Sequence, residues 1–166
     1  RHKMALASPP RGTPWTLLHE MVHIWNVEVE PLWFNEGQAN FISYLLVKEL
    51  GLPFYEPETL SEYLTAWEAI KDTEADLPLQ GNYERLPQGK AMAFWIMLYE
   101  LGGPDLIRNC FQMGMQDNDV SLDDLRQVLR RHLNMDPNRL LSGWVLPGSY
   151  LIHKATDLGP VRYSLP

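Results

Sequence analysis

His19-Glu20-Met21-Val22-His23 is the stretch whose residue types and spacing could do chemistry. On a helix, residues four apart lie on the same face, about one turn from each other. His19 and His23 can then aim two imidazoles at one divalent cation, with Glu20 beside the first as a base for a water. A catalytic zinc site takes three protein ligands and leaves a position open, so a third ligand has to follow. The nearest acids downstream are Glu28, Glu30 and Glu36. Glu28 and Glu30 fall in the connecting loop, among Val27, Val29 and Leu32. Glu36 follows the core-seeking run Leu32-Trp33-Phe34 and is followed at once by Gly37, on an element that must pack against the histidine helix. Glu36 is the preferred third ligand, although an acid in a first helical turn is also favoured by the helix dipole alone.

Positioning these groups requires two helices in contact. Thr13 as N-cap and Pro14 at the first helical position launch a helix over 15–25. Asn35 is a candidate cap for a second helix over 35–50, which Gly51 and Pro53 stop. Its apolar residues Phe41, Tyr44, Leu45, Val47 and Leu50 recur at helical spacing. Trp25 and Trp33 are expected to pack the two site helices together. Further helices are expected over 59–71, over 88–101 up to Gly102-Gly103, and over 104–115. Two more follow, one capped by Ser121 and reaching 133, the other running from Asp136-Pro137 to 144. Residues 72–89 form a long loop of the kind that often carries function. Residues 1–13 read as an extended lead-in and 147–166 as an extended tail. The expected fold is one mainly α domain over 1–166, and the opening Arg1-His2-Lys3 reads as a cut from something longer.

The bulk composition excludes several classes. A chain of 166 residues, 45% hydrophobic and 21% charged, suits a single globular core. A net charge of −7 argues against a nucleic-acid partner. The one tight basic cluster, Arg126, Arg130 and Arg131, is interleaved with Asp123 and Asp124 and reads as a solvated helix face. No run of 18 or more apolar residues could span a membrane. Cys110 stands alone in an apolar stretch, so it forms no intrachain disulfide and reads as a small core residue.

HEMVHIWN followed by LWFNEGQANFISYL resembles the gluzincin metallopeptidases, most of all the aminopeptidase N and glycyl aminopeptidase families. In those families H-E-x-x-H is followed by a Trp two residues on, then by W-x-x-E-G-x-A on the next helix. Trp25 and the segment Trp33 to Ala39 match that pattern. A weaker likeness continues through Gln88-Gly89-Lys90-Ala91, Gly102-Gly103 and Asp136-Pro137 to Trp144. The resemblance implies a thermolysin-like helical catalytic subdomain, Zn²⁺ held by His19, His23 and Glu36, and a peptide or protein substrate. The chain departs from the families in three ways. The loop between His23 and Glu36 is shorter than in aminopeptidase N relatives. The families' transition-state tyrosine aligns with Pro87, leaving Tyr83, four residues earlier, as the substitute. The Gly-Ala-Met-Glu-Asn strand that recognises a substrate's amino terminus is absent.

The expected chemistry is peptide hydrolysis by a metal-activated water. Glu20 would take the proton and hand it to the leaving amine. Tyr83 would stabilise the oxyanion. Asn40, one turn beyond Glu36, would orient His19 through its other ring nitrogen. The alternative is a catalytically silent domain of the same fold, used for binding or scaffolding. The departures feed that alternative and the intact Glu20 opposes it. A metal-free helical interaction module with a fortuitous motif is a third reading.

Overall fold

The computed structural model describes residues 13–25, 29–51, 57–71, 73–82, 88–116 and 119–146. Within them the regular structure is helical: α1 Thr13–Trp25, α2 Leu32–Glu49, α3 Pro57–Ile70, α4 Gln88–Gln116, α5 Leu122–His132 and α6 Pro137–Trp144. No strand occurs among the described residues; a single parallel bridge joins Glu30 to Asp119. The expected mainly α class holds. The lead-in and the tail lie outside the described residues, apart from Thr13, which opens α1. No helix among the described residues is long and apolar enough to cross a membrane.

Helix α4 is the central element, with α2, α3 and α5 packed against it. Residues 91–98 of its first arm are all apolar, and Phe94, Trp95, Met97 and Leu98 are fully buried. A helix of that kind has to sit inside the others. The chain bends at Gly103 (φ 66°, ψ −167°), a conformation that favours glycine. Pro104 then starts the second arm, where its fixed φ and missing N–H do no harm. The break expected at Gly102-Gly103 is therefore a kink between two helical arms. The second arm buries Leu106, Ile107 and Cys110.

The caps expected for α5 and α6 are formed. Ser121 Oγ accepts the Asp124 N–H at 3.1 Å, and Asp136 Oδ1 accepts the Asn138 N–H at 3.0 Å. Helix α5 turns Leu125, Val128 and Leu129 inward. Arg130 and Arg131 face solvent, and Arg126 pairs with Asp123 at 2.6 Å. The basic cluster is the solvated face it was expected to be.

The segment 73–82 has no regular structure, yet its backbone is tied down. The Leu79 N–H donates to the Trp144 carbonyl and the Gln80 N–H to the Val145 carbonyl, both at 3.0 Å. Leu79 is fully buried, and so is the Asp76–Lys90 ion pair that joins this strap to α4.

Two expectations near the site need correction. Helix α2 begins at Leu32, three residues earlier than expected, with Pro31 at the cap position and no side-chain cap. The Pro31 carbonyl accepts the Phe34 N–H at 2.8 Å, so the backbone itself starts the helix. Asn35 is thereby placed inside the helix, with its side chain buried. Trp25 does not join the two site helices: it is 51% exposed. It follows His23 by two residues, about 200° around the helix, which turns it to the opposite side. Trp33 does pack inward, edge-on to Phe34 and Phe94.

Helix α1 is apolar on both sides. Trp15 and Val22 are buried towards the domain, whereas Leu17, Met21, Ile24 and Trp25 are exposed.

Candidate metal centre

The site lies between α1 and α2. On α1, positions 19 and 23 share the face that continues the buried residues Trp15 and Val22, so the imidazoles point at α2. On α2, Glu36 stands one turn into the helix. Its neighbour Gly37 fixes how closely α2 approaches α4. A Cβ there would lie 2.9 Å from the Ala91 Cβ, the Ala91 carbonyl and Trp95 Cδ1. Any side chain would push the helices apart. The Trp95 indole N–H donates to the Phe34 carbonyl at 3.2 Å, a second tie that holds the first turns of α2 on the central helix.

Three side chains converge. His19 Nε2 and His23 Nε2 are 3.0 Å apart. Glu36 Oε2 is 3.3 Å from His19 Nε2, and Oε1 is 3.5 Å from His23 Nε2. Around a tetrahedral ion with metal–nitrogen bonds of about 2.0–2.1 Å, neighbouring donors stand about 3.3 Å apart. The two imidazole nitrogens, and each of them with its nearer Glu36 oxygen, stand close to that spacing. The three side chains keep 15%, 22% and 25% of their surface exposed, so the cluster is sheltered but open on one side. Among the described residues this is the group of three histidine or acidic side chains close enough to share an ion.

Hydrogen bonds tie the cluster together. The Asn35 side-chain oxygen lies 3.2 Å from His23 Nδ1 and accepts its N–H. A hydrogen bond from His19 holds the Glu36 carboxyl below its ordinary value of 4.5. Partial burial opposes that shift, and the charges of His23 and His19 reinforce it. Glu36 is thus the anionic corner of the triangle.

The remaining site expectations fare differently. Glu30 is exposed and uses its backbone, its carbonyl accepting the Val120 N–H at 2.8 Å. Glu28 and Tyr83 lie outside the described residues. Glu20 is exposed on α1, next to the cluster and outside it. Asn40 is buried, but no hydrogen bond joins it to His19: His19 Nδ1 and Asn40 Nδ2 are both buried without a partner. The amide that touches the cluster is Asn35, and it touches the other histidine. Reading Asn35 as a cap concealed this role. The available signal was its place directly before Glu36, within a run that is otherwise buried.

Compared with known proteins, the chain matches no protein-family model, no curated protein and no solved structure.

Proposed function

We propose that this chain carries a zinc-dependent peptidase site. The observation that supports it is the convergence of His19 Nε2, His23 Nε2 and the Glu36 carboxylate, one ligand atom of each lying within 4.8 Å of the others. Two imidazoles and one carboxylate, partly exposed, form the donor set of catalytic rather than structural zinc. When bound, the ion would act as a Lewis acid and bring the pKa of a coordinated water near 7. The chain's own residues would do the rest. Asn35 keeps the His23 proton on Nδ1 and so presents Nε2 as a donor. Glu36 supplies the negative charge that offsets the cation. Glu20, exposed beside the cluster, takes a proton from the attacking water on its carboxylate and returns it to the amine nitrogen as the peptide C–N bond breaks. The motif resemblance to gluzincins points to the same chemistry, with peptides or proteins as substrates.

A non-catalytic domain of the same design is the second reading, favoured by Pro87 standing where those families carry their tyrosine. One experiment separates the two. Zinc content is measured in protein never exposed to chelator, alongside cleavage of a mixed peptide library by wild type and Glu20→Gln. The enzyme reading expects about one zinc per chain in both proteins and chelator-sensitive cleavage in wild type only. Zinc in both without cleavage in either leaves the binding domain. Absence of zinc from wild type refutes both.

A further inference from the structure

Lys90 is a lysine with 1% of its surface exposed, paired at 2.7 Å with an Asp76 carboxylate that is equally buried. The same ammonium donates to the Leu77 carbonyl. Burying both charges is costly and contributes little net stability, so a position held this way calls for a role other than stability. The surroundings indicate one. Lys90 stands in the first turn of α4, where backbone N–H groups have no intrahelical partner and helices fray. The next residue, Ala91, is the one that meets Gly37, directly beside Glu36. On the other side, the strap carrying Asp76 is fixed by the Leu79 and Gln80 N–H bonds to the carbonyls of Trp144 and Val145. The first turn of α4 is thus clamped between a fastened strap and the helix that bears Glu36.

We propose that the Lys90–Asp76 pair is a positioning lock for the carboxylate arm of the metal centre, acting through the Ala91–Gly37 contact and touching no ligand. The proposal rests on the metal reading above. The strap fixes Lys90, Lys90 fixes the first turn of α4, and that turn fixes the height of Glu36 against the two histidines.

The test replaces the pair by apolar residues of similar size, Asp76→Leu with Lys90→Met, so that no unpaired charge is left buried. Zinc affinity is measured by chelator competition, and amide exchange is followed in metal-free protein. Val128→Ala, a core truncation in α5, serves as a control for general destabilisation. The double variant is expected to keep its helical content and melting temperature. It should bind zinc about tenfold more weakly, the low end of what outer-shell losses cause. Amides in the first turn of α4 and at 36–38 should exchange faster. The Val128 variant should melt earlier and bind zinc as wild type does. Zinc binding by the double variant within threefold of wild type, with unchanged exchange at those amides, overturns the lock. If wild type takes up no zinc, the metal reading fails, and exchange alone decides whether the lock exists. If the double variant does not fold, the uncharged pair Asp76→Asn with Lys90→Met, read by the same two measurements, decides.

Discussion

Asn35→Leu is the sharpest probe of the proposed metal centre, because it removes a hydrogen bond to His23 without removing His23. The side chain is 7% exposed and nearly isosteric with leucine, so the substitution leaves little cavity. What is lost is the acceptor 3.2 Å from His23 Nδ1. Removing a partner that orients a metal-bound histidine costs about 10–100-fold in affinity, or about 1.4–2.8 kcal/mol. The bond is long and joins neutral groups, which places the expected loss near tenfold. Asn35→Asp supplies the controlling comparison. A carboxylate accepts the same N–H more strongly and raises the basicity of Nε2, so zinc affinity should be kept or increased. The assay is competition for zinc against a chelator of known affinity at fixed pH, with helical content followed in parallel. Equal zinc affinity in wild type and Asn35→Leu would refute the reasoning, because it would mean that the orientation of His23 does not depend on this contact.

Three further outcomes are expected. Gly37→Ala places a methyl 2.9 Å from backbone and side-chain atoms of α4, and overpacking of this kind costs about 1–3 kcal/mol, read as a lower melting temperature together with weaker zinc binding. Cys110 is fully buried and burial pushes its thiol pKa up to about 12, so a thiol reagent at pH 8 should label it only after denaturant is added; rapid labelling of native protein would contradict its burial. In metal-free protein the Glu36 carboxyl is depressed below 4.5, so its contribution to stability is present above that pH and is lost as pH falls through the lower folded value. Glu36→Gln should therefore flatten the acid side of the metal-free stability curve, and an unaltered acid slope would argue against the His19–Glu36 contact.

Features set by short-range spacing were legible in the chain. His19 and His23 needed only helical periodicity, and the Ser121 and Asp136 caps only local turn chemistry. Glu36 could be favoured over Glu30 because it sits on a rigid element, and the structure brings Glu36 to the histidines while Glu30 stays in the loop. Contacts between elements were not legible in the same way. Asn35 looked like a cap because Asn commonly is one, but the Pro31 carbonyl started the helix earlier and turned the amide inwards. Residue type alone places Trp25 at the helix interface, whereas its angle around α1 sends it outward. The Lys90–Asp76 pair joins residues 14 apart in the chain, and no periodicity could have matched them.

The two-sided apolar character of α1 has a practical side. Leu17, Ile24 and Trp25 present an oily surface to water, 40%, 70% and 51% exposed, on a helix whose other face carries His19 and His23. Such a surface promotes self-association when the chain is handled alone at high concentration. The geometry of the helix also offers the remedy, because these positions point away from His19 and His23. Polar replacements at Ile24 and Trp25 can therefore tune solubility while the metal centre stays as built, so that titrations with zinc report on the site and not on aggregation.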